Sequence, residues 1–130
     1  MIPPELLSLA KVPYLQGGRD PSVGLDCWGF YREARRILGL SVPPVHQVSG
    51  EEETEAEWMS ARQSTEWRRL VLPEPWCLVM LTRPGRPAHC GMVMPDLVTF
   101  AHLNRGGFRR DYLDCATFRL AKKEYYRYER

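Results

Sequence analysis

The hydrophobic period of this chain changes once, and that change sets the fold class. Between Asp26 and Gly39, the residues Phe30, Ala34, Ile37 and Leu38 recur at i, i+4, i+7 and i+8, while Arg32, Glu33, Arg35 and Arg36 occupy the other side. This is the pattern of one amphipathic helix. Beyond Pro73-Glu74-Pro75 the chain reads instead as short apolar and aromatic runs cut by turn residues. Residues 76–81, 88–94, 97–102, 108–112, 117–120 and 124–128 are predicted strands, with turns at 83–87 and 104–107. A helix followed by strands on short turns predicts an α+β fold whose sheet is an antiparallel meander.

The helix carries its own punctuation. Asp26 stands where an N-cap belongs, Cys27 falls in the first turn, and Gly39 is a C-terminal glycine stop. Residues 3–10 are predicted to form a short helix opened by Pro3-Pro4, followed by a loop as far as Gly24. Residues 41–50, with Pro43-Pro44, read as loop. Ser49-x-x-Glu52 matches a capping box, and the acidic stretch 51–57 suits a helix start, so a second helix is expected over 51–70. Its thin apolar face (Trp58, Met59, Ala61, Trp67, Leu70) places it on the surface. At 130 residues and 44% hydrophobic, the chain is expected to form one domain, 1–130.

Charge and cysteine content narrow the function. With 18 Lys+Arg against 16 Asp+Glu the formal charge is only +2, which argues against nucleic acid as a partner. No apolar run approaches the roughly 20 residues of a membrane helix, so no membrane span is expected. The N-terminus lacks a basic n-region and an A-x-A site, so the chain is expected to be made in the cytoplasm without a secretory signal. Cys27, Cys77, Cys90 and Cys115 are widely spaced with no C-x-x-C pair, which points to reduced thiols rather than a disulfide scaffold or zinc ribbon. Cys77 and Cys115 read as inert core thiols, and His46, in the proline-rich loop, has no evident partner.

Cys27 is different, because the dipole and unpaired N–H groups of a helix start favour thiolate, and thiolate is the nucleophile. A base is available from the strands. Pairing 88–94 with 97–102 about Pro95-Asp96 sets His89 directly opposite His102 on one face, close enough for one imidazole to orient the other. Gly91 on that face would leave room for a substrate or a helix N-terminus, and Cys90 would point to the other face. Two chemistries are compatible with Cys27, His89 and His102: nucleophilic catalysis, or metal ligation, for which no short-spaced ligand pair is present.

Four segments, in order, carry a resemblance: Tyr14-Leu15-Gln16-Gly17-Gly18, Gly24-Leu25-Asp26-Cys27-Trp28-Gly29-Phe30, Ala88-His89-Cys90-Gly91-Met92-Val93, and Phe100-Ala101-His102. Together they resemble the NlpC family of papain-like cell-wall cysteine peptidases, and most of all the compact members encoded among bacteriophage tail genes. The resemblance implies a helix bearing the nucleophilic Cys27 packed on an antiparallel sheet bearing His89, the general base, and His102, the orienting residue. It implies Tyr14 beside the active site, Asp26 and Trp28 near the oxyanion or substrate, and no cofactor or metal. Trp28 replaces the serine of many members, and simple packing against the sheet is its expected role. The implied substrate is the murein stem peptide, cleaved after a γ-linked D-glutamyl residue. Implied partners are other phage tail proteins, and implied locations are the virion tail or a periplasm reached by phage delivery. The alternative within the same resemblance is a tail-assembly module that keeps the fold with little activity.

Overall fold

The computed structural model describes residues 3–44 and 66–128. The predicted helix is α1, Cys27–Ile37, and both of its ends form as the sequence indicates. The Asp26 side chain accepts a hydrogen bond from the Gly29 N–H at 2.8 Å. At the other end, Gly39 (φ 75°) donates to the Arg36 carbonyl and Leu40 to the Arg35 carbonyl, closing the last turn in a left-handed cap. The opening segment is a 3₁₀ helix, Pro4–Leu9, that buries Leu6 and Leu9. The expected loop before α1 contains two short paired strands, β1 (Arg19–Asp20) and β2 (Gly24–Leu25).

A six-stranded antiparallel sheet follows. It comprises β3 (Trp67–Leu70), β4 (Leu78–Thr82), β5 (His89–Val93), β6 (Thr99–Asn104), β7 (Gly107–Tyr112) and β8 (Lys122–Tyr128), in the order β3-β8-β4-β5-β6-β7. The meander β4 to β7 was expected; the return of β8 to the far side of β4 was not. Two other expectations are corrected. The helix predicted over 51–70 does not include residues 67–70, which pair with β8; there the Trp67 ring packs at a tilt against its cross-strand partner Tyr128, centroids 5.1 Å apart. Cross-strand aromatic pairing and burial of Trp67 outweigh a thin helical period. Residues 51–65, with Trp58, Met59 and Ala61, lie outside the described residues, as does His46. Residues 117–120 form turns rather than a strand, because Phe118 is needed as a plug under the sheet.

The sheet is buried on both faces, which explains the unbroken apolar runs of β4 and β5. On one face α1 packs its Phe30, Tyr31 and Ala34 against Leu78, Met80, Cys90, Met92, Ala101 and Leu103. On the other, the turns between β7 and β8 bring Leu113, Phe118 and Ala121 against Val79, Leu81, Val93 and Phe100.

The start of α1 is positioned by a close backbone approach. A Cβ on Gly29 would lie 2.3 Å from the Gly18 carbonyl oxygen. Alanine normally stabilises a helix over glycine by about 1 kcal/mol. Gly29→Ala is therefore expected to act with the opposite sign, destabilising the chain by about 1–3 kcal/mol, the usual cost of overpacking against atoms that cannot yield. Urea unfolding of the variant against the wild type measures it, and an unchanged or raised midpoint would refute the contact.

Candidate active site

Cys27 is the first residue of α1, so its side chain sits in the positive field of the helix start. It is buried, yet it lines a cleft of about 400 Å³ together with Tyr14, His89, Asn104 and Phe118. Its pKa is lowered to about 5. The largest cause is a hydrogen bond with Cys90; burial opposes it, His89 lowers it further by hydrogen bond and charge, and the Asp26 charge raises it. The other buried thiols go the opposite way: burial pushes Cys77 up to about 11 and raises Cys90 well above the usual thiol value. Cys90 lies on the helix-facing side of β5, as its register requires, and there it becomes the partner of Cys27.

His89 and His102 do meet, with His89 Nε2 and His102 Nδ1 2.7 Å apart. The register that brings them together differs from the expected one. Met92 pairs with Ala101 and Val93 with Phe100, which sets His102 opposite Gly91, two positions from His89. The cause is the turn: Leu97, at φ 66°, closes it by donating to the Met94 carbonyl, and Asp96 accepts from the Val98 and Thr99 N–H groups, so the loop is longer than a two-residue hairpin. A shift of two residues keeps every side chain on its face. Gly91 accordingly leaves room for neither substrate nor helix. A Cβ there would lie 2.7 Å from Phe100 Cδ2 and 3.1 Å from His102 Cβ, so its missing side chain admits those two rings.

The histidine pair is held in an aromatic and polar frame. His89 stacks on Phe118 (5.9 Å, interplanar 6°), and His102 stacks on Phe100 (4.3 Å, 19°). His102 is fully buried, and its Nε2 lies 2.8 Å from Asp111 Oδ2. Burial first, then the charge of His89, lowers the His102 pKa to about 4 against the pull of Asp111. The contact is thus a hydrogen bond from a neutral imidazole, not an ion pair. With both ring nitrogens engaged, His102 has no lone pair to offer a metal unless one of these contacts breaks.

Asp111 was missed in the sequence reading. The signal was present: a two-residue turn at Arg105-Gly106 pairs Asn104 with Gly107 and His102 with Arg109, which puts Asp111 on the histidine face of β7. Phe118 falls in a segment whose pattern predicts strand, and Cys90 points away from His89, so neither residue's part in the site follows from the sequence pattern alone.

Of the expected substrate-side residues, Tyr14 lines the cleft, with the Arg105 guanidinium 5.1 Å from its ring centroid. Asp26 and Trp28 do not line it; each is 1% exposed. The Asp26 carboxylate accepts from the Gly29 and Gly17 N–H groups and from Arg19 Nη1 at 2.7 Å. Trp28 packs on Tyr31 and Trp67, both at 6.0 Å, in the packing role expected of it.

Iodoacetamide at pH 6 is expected to alkylate Cys27 ahead of Cys77 and Cys90, read by mass spectrometry of the digested protein. Because the Cys90 hydrogen bond favours the thiolate most, Cys90→Ala should move the pH profile of Cys27 alkylation upward. Equal labelling of all the thiols would refute the low-pKa assignment, and an unmoved profile in Cys90→Ala would refute its cause.

No protein-family model matches the sequence, and no curated protein matches it. Solved structures do. The NlpC/p60 domain of the peptidoglycan hydrolase SagA aligns over 93% of this chain and 92% of its own, with a TM-score of 0.60 and 17% identity. A protein of Staphylococcus aureus described as similar to lipoprotein, NLP/P60 family, aligns over 97% of this chain at a TM-score of 0.64 and 16% identity. The present chain spans 39% of that protein's length. The helix bearing Cys27 and the antiparallel sheet on which it packs thus have the fold of NlpC/p60 domains.

Proposed function

We propose that this chain is a cysteine peptidase acting on the stem peptides of peptidoglycan, with Cys27 as nucleophile, His89 as general base and acid, and His102 as the residue that orients His89. The observation that carries the reading is the Cys27 thiol, lowered to about 5 and open to a cleft that it shares with His89. One structural neighbour, the NlpC/p60 domain of the peptidoglycan hydrolase SagA, supports the substrate class. Arg83, Arg86 and Arg105 line the cleft, with no carboxylate lining it among the described residues, which suits a peptide carrying free carboxylates.

In this mechanism the Cys27 thiolate attacks the scissile carbonyl carbon, forming a C–S bond and a tetrahedral oxyanion. First-turn N–H groups at Cys27, with Tyr14 at the cleft wall, stabilise that charge. As the C–N bond breaks, His89 gives its proton to the leaving amine. Water then attacks the thioester, His89 takes a proton from it, and the acid product leaves with Cys27 restored. The sequence resemblance supports the finer assignment, cleavage after a γ-linked D-glutamyl residue by a protein of a phage or prophage tail. A free stem-peptide amine gains little from Asp26, whose carboxylate is engaged by Arg19 and two backbone N–H groups.

A murein digest followed by mass spectrometry tests the reading. New stem-peptide fragments are expected with the wild type, none with Cys27→Ala, and a loss of about a thousandfold or more with His89→Ala. His102→Gln should keep part of the activity. Since the attacking form is the thiolate, the acid limb of the kcat/KM profile should fall as pH drops below the Cys27 pKa of about 5. Full turnover in His89→Ala would overturn the mechanism.

A further inference from the structure

Both ring nitrogens of His102 are engaged, and the chemistry of the outer partner decides where the protons lie. A carboxylate can only accept, so the proton in the 2.8 Å contact with Asp111 belongs to His102 Nε2. His102 is fully buried and its pKa is lowered to about 4, chiefly by burial, so near pH 7 the ring is neutral and that is its one proton. Its Nδ1 therefore bears a lone pair and must accept, at 2.7 Å, from His89 Nε2–H. His89 Nε2 carries a proton in every state of this arrangement, and Nδ1 is the nitrogen left to gain and lose one.

We propose that Asp111 is a positioning residue: through His102 it fixes the protonated nitrogen of His89, making His89 Nδ1 the atom that exchanges a proton with Cys27 and with the leaving amine. The use of that nitrogen rests on the peptidase reading above; the proton order does not. The fold places Asp111 for the role. It lies on β7 opposite Phe100, the ring on which His102 stacks, and one diagonal step from His102 itself. Arg109, directly opposite His102, holds the carboxylate through contacts of 3.1 Å to Oδ2 and 3.4 Å to Oδ1. That arginine is the largest of the causes lowering the Asp111 pKa, so the acceptor stays ionised. Without the carboxylate, His102 is free to carry its proton on Nδ1. It would then point a donor at His89 Nε2 and drive the His89 proton onto the nitrogen that has to be a base.

The test is nitrogen NMR on the full chain labelled with ¹⁵N-histidine, at pH 7. The wild type should show His102 protonated at Nε2 and bare at Nδ1, with His89 protonated at Nε2. Asp111→Ala should lose the His102 preference and lower kcat on murein peptides by about 10–100-fold, with KM nearly unchanged. Asp111→Asn, whose amide oxygen Arg109 still draws toward His102, should restore both the proton order and most of kcat. A wild-type His102 protonated at Nδ1, or an Asp111→Ala protein with unchanged tautomers, would overturn the proposal. Because the spectrum is read without turnover, a wild type that cleaves no murein peptide would defeat the peptidase reading alone.

Discussion

The Asp26 carboxylate ties together the parts that put a thiol at the cleft. It caps α1 through Gly29, accepts from Gly17 in the preceding loop, and pairs with Arg19 on β1 while almost wholly buried. A cap of this kind contributes about 1 kcal/mol. Stripping one member from a buried ion pair typically costs about 3–5 kcal/mol, because the other charge is left stranded. Loop, strand and helix start are thereby fixed to one another. The Gly29 and Gly18 backbones can then approach within contact, and Cys27 is held at the dipole end with little freedom to retreat.

The sheet divides the site into two supports. The face toward α1 supplies Cys90, whose thiol is the strongest influence on the Cys27 thiolate. The opposite face carries the histidines in their aromatic frame, Phe100 beneath His102 and Phe118 beside His89. Both histidines lie on strands paired to their neighbours, so their geometry is set by backbone ladders rather than by loops. The polar chain from His89 through His102 to Asp111 runs across β5, β6 and β7, using one residue from each.

Local signals were legible in the sequence and long-range ones were only partly so. The helix, its Asp26 cap and its Gly39 stop could be read because each depends on residues within a few positions of one another. The facing of His89 and His102 survived an error of two positions because side-chain direction in a strand repeats every two residues. The error itself came from Leu97, whose positive φ no residue preference foretells. The pairing of residues 67–70 with β8 was beyond a periodicity argument, since its partner lies more than fifty residues away. Cys90 was correctly assigned to its face, but its meaning depended on knowing that α1 packs there. Asp111 needed only the register that the Arg105-Gly106 turn dictates, carried two residues further than the histidine.

The walls of the cleft differ in kind from its floor. Arg83, Arg86 and Pro87 belong to the connection between β4 and β5, Arg105 and Gly106 to the turn between β6 and β7, and Thr117 and Phe118 to the turns before β8. Arg83 links two of these, lying 5.0 Å from the Phe118 ring centroid and donating to the Thr117 carbonyl. Loops tolerate insertion and exchange far better than paired strands do. The 83–87 connection and the Arg105-Gly106 turn can therefore diversify by trading segments of a few residues while the strand-borne histidines stay put, whereas the turns before β8 are held to Phe118, the ring on which His89 stacks.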